Sequence, residues 1–150
     1  MKRRFKLGLL INPYSGIGGA LALKGSDGSD IRQQALASGA EKLSGKKMTV
    51  ALQALLPLKD QLSIFTASGE MGEDVVSELG FKYDVAYQHP TSQTESADTQ
   101  AAALALMAQK VDLILFAGGD GTARNICEVV ENRNASARRV KLYSSGKNGG

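Results

Sequence analysis

The stretch Asp112–Ile126, DLILFAGGDGTARNI, decides the fold. Leu113 to Phe116 form a short apolar run; two glycines, an aspartate, a third glycine and a threonine follow it soon after. An apolar run of this length closed by glycine reads as a buried strand, and the segment beyond it as a helix. The turn between them also raises a chemical question. Glycine-rich turns between strand and helix hold phosphates: backbone N–H groups approach closely, and the helix N-terminus favours negative charge. A carboxylate there repels a bare phosphate. Asp120 makes sense in such a turn when a magnesium ion lies between the two, or when its partner is a hydroxyl whose proton it accepts or orients. The structural alternative is that Asp120 only caps the following helix.

Outward from this stretch the chain alternates strand and helix. FKLGLLIN (5–12) reads as a buried first strand; Pro13 and a polar turn follow without the small-residue pattern of signal-peptide cleavage. A long glycine-rich loop comes next, PYSGIGGALALKGSDG (13–28). SDIRQQALASGAEKL (29–43) reads as a helix capped by Ser29 or Asp30. KKMTVALQALLPLKDQ (46–61) reads as another, with Ser44 as cap and Pro57 ending or kinking it. LSIFTAS (62–68) is a second strand, and GEDVVSELGF (72–81) a short helix closed by Gly80. YDVAYQH (83–89) is a third strand. TESADTQAAALALMAQK (94–110) is a helix with acids early and Lys110 late, as the helix dipole favours. VDLILFAG (111–118) is the fourth strand. The last helix, GTARNICEVVENR (121–133), starts at about Gly121 or Thr122 and places Ile126, Val129 and Val130 on one face.

This alternation predicts an α/β fold: a doubly wound, mostly parallel, Rossmann-like sheet of order 3-2-1-4, with helices on both faces and room for a fifth strand. In that order strands one and four are neighbours and chain direction reverses between them. Ligands in open α/β sheets bind at such a switch point. The two glycine-rich loops, after Ile11 and after Phe116, would meet there although over one hundred residues separate them. Gly118, Gly119 and Gly121 would bring backbone N–H groups to a phosphate through angles that residues with a Cβ resist, and Thr122 would add a hydroxyl donor. Asn12 would bind the neighbouring loop or a ligand, Pro13 fixes its turn, and Ser15 and Gly16 offer a hydroxyl and an N–H. The first loop is neither a Walker P-loop nor a clean GxGxxG fingerprint, and alone it reads equally well as a plain glycine loop.

Composition bounds the alternatives. At 150 residues, with 43% apolar residues and low aromatic content, the chain makes one domain, 1–150, with a real core. No apolar stretch reaches the length of a membrane span. The single cysteine, Cys127, excludes an internal disulfide framework and a cysteine-rich metal site, which fits a cytoplasmic protein. The net charge of +3 is uneven: residues 1–50 carry nine basic and three acidic groups, residues 51–130 four basic and eleven acidic. The basic residues neither interleave with aromatics nor form a recognition motif, so nucleic acid is not an expected partner. Cys127, Met48 and Met71 read as packing residues, His89 as a surface turn residue and Lys24 as an exposed lysine.

These motifs resemble the ATP-NAD kinase-like family, part of a superfamily that also holds NAD kinases and the diacylglycerol and sphingosine lipid kinases. GGDGT at Gly118–Thr122 is similar to the superfamily's hallmark. NPYSG at Asn12–Gly16 resembles the NPxSG of the lipid-kinase branch. GIGGALALKGSDG (16–28), TASGEMGED (66–74), TESADTQ (94–100) and GGDGTARN (118–125) resemble the bacterial ATP-NAD kinase-like branch more closely, although that branch commonly has Asp at the place of Asn125. The resemblance spans about residues 5–132. It implies phosphoryl transfer from ATP, or polyphosphate, to the 2′-hydroxyl of NAD, with Mg2+ neutralising the phosphates. It implies Asp120 as base or orienter for that hydroxyl, Gly118, Gly119, Gly121 and Thr122 at phosphates, and Asn12, Pro13, Ser15 and Gly16 lining the crevice. Gly69, Glu70 and Asn125 are added as outer candidates. No protein cage for a metal is expected: Mg2+ would sit on phosphates, with Asp120 as the nearest protein ligand. The partners implied are small-molecule nucleotides and no membrane; a homo-oligomer is left open.

The resemblance implies a second, mostly β domain that supplies much of the dinucleotide site, and the expectation is that it is absent here. Residues 133–150 also depart from the family pattern: where an apolar fifth strand and a proline-glycine turn belong, Arg138 and Arg139 precede a short VKLYSS (140–145). The expectation is a truncated, frameshifted or excised form with weak or no activity alone. A lipid-kinase catalytic domain and a non-catalytic nucleotide-binding module are the alternatives.

Overall fold

The computed structural model describes residues 4–14, 43–89, 96–133 and 141–145. In chain order these form β1 (Phe5–Ile11), α1 (Leu43–Gln53), a 3-10 stretch Leu56–Gln61, β2 (Leu62–Ala67), a 3-10 turn Gly69–Met71, and α2 (Glu73–Glu78). β3 (Tyr83–Tyr87), α3 (Ser96–Ala108), β4 (Leu113–Ala117), α4 (Asp120–Arg133) and β5 (Lys141–Ser145) complete them. The five strands make one sheet of order β3-β2-β1-β4-β5, and every neighbouring pair is parallel. The expected order 3-2-1-4 is present, with a fifth strand beside β4.

β1 is central because it is apolar on both sides, as a parallel strand covered by helices on both faces must be. Leu7, Leu9 and Ile11 point to one face, where they pack with Ile64, Leu115 and Ala117 against Met48 and Leu52 of α1 and Val76 of α2. Leu10 points to the other, with Ala67, Ile114 and Phe116, against Ala102, Ala103 and Leu106 of α3 and Ile126 and Val130 of α4. The alternation of β4, Leu115 and Ala117 one way, Ile114 and Phe116 the other, is the period-two signature of a strand sandwiched between helix layers. Each fully buried leucine in these layers contributes about 1.5–3 kcal/mol relative to exposure.

Beyond shifts of a residue or two at element ends, the structure departs from the sequence reading in four places. Ser44 does not cap α1; it lies inside the helix and is buried. Pro57 neither kinks nor directly ends α1: the helix stops at Gln53, and Pro57 opens the 3-10 stretch, where its missing N–H is harmless. α4 starts at Asp120, ahead of Gly121 and Thr122. Finally, VKLYSS, read as a departure from the fifth-strand pattern, supplies that strand: Lys141–Ser145 pairs in register with Leu113–Ala117. An edge strand has one neighbour and needs less apolar sequence than a central one. The expected helix over 29–43 and its caps lie outside the described residues, apart from Leu43.

Candidate functional site

The C-terminal ends of β1 and β4 are adjacent. Ile11 pairs with Ala117, and the ladder continues one step past the strand, where the Asn12 backbone N–H donates to the Ala117 carbonyl at 2.9 Å. Asn12 and Asp120 therefore stand at the same end of neighbouring central strands. The two turns are joined by side chains as well. Asn12 Nδ2 donates to Thr122 Oγ1 at 2.9 Å, and Asn12 Oδ1 accepts the Tyr14 N–H at 3.1 Å. The second contact is an Asx turn, for which an Asn-Pro dipeptide is a known local signal. Pro13 and Tyr14 are buried in that turn.

In the β4 turn the Gly119 carbonyl accepts the Ala123 N–H at 3.0 Å, the first intrahelical bond of α4. Gly119 thus occupies the N-cap position and Asp120 is the first helical residue, exposed to solvent. A glycine cap supplies no side-chain acceptor. The leading N–H groups of α4 have no intrahelical acceptor either, and the helix dipole adds positive potential at this end.

The glycines serve the turn differently from the expectation. Neither Gly118 nor Gly121 has a left-handed φ. Gly118 is required by close packing: a Cβ there would stand 2.6 Å from Thr122 Cβ and 2.7 Å from its Cγ2. At Gly121 a Cβ would meet nothing within 4 Å, so this position faces open space. Thr122 is buried, at 3% exposure, with its hydroxyl accepting from Asn12.

The outer candidates divide. Gly69 and Glu70 lie past the end of β2, across β1 from the β4 turn. Gly69 adopts φ +57, and its N–H donates to Glu73 Oε1 at 3.1 Å. A Cβ on Gly69 would stand 3.2 Å from the imidazole of His89, a half-buried residue whose backbone N–H donates to Ser68 Oγ. Asn125 sits one turn into α4, where its carbonyl accepts from Gln100 Nε2 of α3 at 3.3 Å. Ser15, Gly16 and Lys24 lie outside the described residues. Met48 and Met71 are fully buried packing residues, and Cys127 is half-buried.

One tie near this end was not foreseen. The Tyr87 hydroxyl donates to Asp98 Oδ1 at 2.7 Å, fastening β3 to the first turn of α3. Burial, then the hydrogen bond and negative charge of Asp98, push the Tyr87 phenol up to about 12. Tyr83 bonds Glu73 Oε2 at 3.2 Å and is likewise raised, by burial first and then by Glu73. The sequence signals were an aromatic pair on one strand and an acid in each of two helix first turns.

Among the described residues, no cluster of three or more His, Cys, Asp or Glu side chains is arranged to hold a metal, and no helix is long and apolar enough to cross a membrane. A cleft of about 630 Å³ lies at the opposite, N-terminal end of the strands, between Phe5, Leu58 and Leu113.

A family model described as ATP-NAD kinase N-terminal domain matches residues 7–135, most of the chain. No curated protein and no solved structure matches it significantly.

Proposed function

The chain belongs to the ATP-NAD kinase N-terminal domain family, and we propose that it is the nucleotide-binding domain of a phosphotransferase that moves the terminal phosphoryl group of ATP, or of polyphosphate, to the 2′-hydroxyl of NAD. The observation that carries this reading is the convergence of the β1 and β4 turns at one end of the sheet, with Asp120 exposed at the first position of α4.

Three features divide the chemistry. The phosphate chain lies against Gly118, Gly119 and Gly121, where the first N–H groups of α4 donate and no Cβ intervenes at Gly121. Asp120 faces the acceptor hydroxyl, takes or orients its proton, and leaves the oxygen free to attack phosphorus. The β1 turn, from Asn12 and Pro13 to Ser15 and Gly16, closes the other side of the crevice. Mg2+ fits this donor set as a phosphate-borne ion. The exposed Asp120 carboxylate is a hard oxygen ligand of the kind that Mg2+ takes while keeping water and phosphate oxygens as its other ligands. When bound it neutralises charge on the phosphates. A cytoplasmic location and small nucleotides as partners belong to the same proposal.

Calorimetry with ATP, ADP, NAD and NADP, with and without Mg2+, followed by a transfer assay, tests it. Binding of a dinucleotide with phosphorylation at the 2′ position is the expected result. ATP binding without dinucleotide binding would transfer the assignment to a lipid-type acceptor. Binding without transfer, even when a partner β domain is supplied, would leave a non-catalytic module.

A further inference from the structure

We propose that Asn12 and Thr122 act as a clamp that makes the β1 and β4 turns a single body, so that Asn12 is a positioning residue rather than a ligand of the phosphates. The functional half of this inference rests on the nucleotide-site reading; the clamp itself stands on the fold alone.

Asn12 is fixed on three sides. Its backbone N–H reaches Ala117, its Nδ2 reaches Thr122, and its Oδ1 receives Tyr14. Both partner residues are nearly excluded from solvent, Thr122 at 3% and Tyr14 at 4% exposure. In such surroundings a donor or acceptor left without its partner is costly, so the link resists opening. The Asn12 amide donates to the Thr122 hydroxyl and accepts from Tyr14 at once. Asp would keep the acceptor for Tyr14 and oblige the Thr122 hydroxyl to donate in its turn, whereas an aliphatic residue would lose both bonds. Gly118 completes the clamp. Its missing Cβ leaves room for the Thr122 side chain, whose Cβ and Cγ2 occupy the place a residue at 118 would claim. The hydroxyl is thereby held where the amide needs it. A ligand ordered by the start of α4 then orders Asn12–Tyr14 with it, and the two turns cannot separate there without breaking these partly buried hydrogen bonds.

The test uses the full chain and two readouts: amide hydrogen exchange at Tyr14, and binding of Mg2+-ATP. Thr122→Val keeps the shape and removes the hydroxyl. It should speed Tyr14 exchange and weaken binding, each by about five- to tenfold, the scale of one buried hydrogen bond. Thr122→Ser should restore most of both losses, which a purely packing role for Thr122 would not allow. Asn12→Leu, which removes both side-chain bonds without adding charge, should lose Tyr14 protection and bind Mg2+-ATP more weakly, and it remains informative if the valine variant does not fold. The double variant Asn12→Ala/Thr122→Val should bind no more weakly than Asn12→Ala alone. Additive losses, or unchanged Tyr14 exchange in Thr122→Val, would overturn the clamp. If the unaltered chain binds no nucleotide, the kinase reading fails, while the exchange measurement still decides the clamp.

Discussion

At the N-terminal end of the sheet, β1 is laced to its neighbours by charged side chains. Arg4 donates to Ser63 Oγ at 3.0 Å and to the Leu62 carbonyl. The Lys6 N–H donates to Asp112 Oδ2 at 2.9 Å, and Lys6 Nζ reaches the Gln109 carbonyl at 3.2 Å while lying over the Phe65 ring. At the C-terminal end the same strand is tied by one neutral amide, and the turn beyond β4 is glycine with an exposed acid at the first helical position. The two ends therefore use polar groups in opposite ways. One satisfies them internally and gains rigidity. The other begins its helix on a glycine cap, which has no side-chain acceptor of its own and suits a ligand that brings acceptors. A cleft alone does not mark the site: the roomy one between Phe5 and Leu58 lies at the satisfied end.

The sharpest way to break this comparison is Asp120→Asn. It should lower phosphoryl transfer by roughly 10²–10⁴-fold, the usual scale for a general acid–base group, while Mg2+-ATP binding changes little. Single-turnover rates beside calorimetry would show it, and a rate near that of the parent would make the carboxylate dispensable.

Next comes a pair within one turn. Gly118→Ala should destabilise by about 1–3 kcal/mol through overpacking against Thr122. Gly121→Ala, facing open space at the start of a helix, should hold or gain up to about 1 kcal/mol yet bind ATP more weakly. Urea unfolding midpoints and calorimetry separate the two. Equal stability losses would mean that the turn is packed alike at both positions.

Asp112→Ala probes the opposite end. Losing the acceptor for the Lys6 N–H should cost about 1–2 kcal/mol in urea unfolding and leave nucleotide affinity untouched. A large loss of affinity would show that the two ends are coupled.

The smallest effect concerns Tyr87. Its phenol ordinarily ionises near 10 and is raised to about 12 in the fold. The folded state therefore holds the proton more tightly than the unfolded state. The stabilising contribution is complete below pH 10 and is lost as pH rises towards about 12. Tyr87→Phe should flatten that part of the alkaline stability profile, read by unfolding at stepped pH, and phenolate absorbance should show one late-titrating tyrosine fewer.

The sheet was legible because β1 and β4 are continuous apolar runs closed by turn residues, and because right-handed crossovers leave few orders to choose from. The adjacency of Asn12 and Asp120 followed from that order. What did not follow depends on distances no spacing encodes. Gly118 looks like a residue chosen for backbone freedom, but its φ is ordinary and the constraint is the Thr122 side chain four residues on. Thr122 reads as a donor to a ligand, yet its oxygen receives an amide from 110 positions away. The tie between Tyr87 and Asp98 is only hinted at in sequence, by an aromatic on β3 and an acid in the first turn of α3, because their pairing is a matter of tertiary distance. VKLYSS read as a poor strand because the pattern sought was that of a central strand, and β5 is at the edge.

Position 8 carries a last consequence. A methyl group on Gly8 would come within 3.2 Å of Val111 and 3.3 Å of Ile114 and Leu106, so α3 rests directly on the bare backbone of the middle strand. Any side chain there would act as a wedge under α3. Because α3 also carries Gln100, which grips α4 through Asn125 and Glu128, the displacement would travel to the helix that begins at Asp120. The bare backbone at the centre of the sheet thus bears on the placement of a carboxylate two helices away.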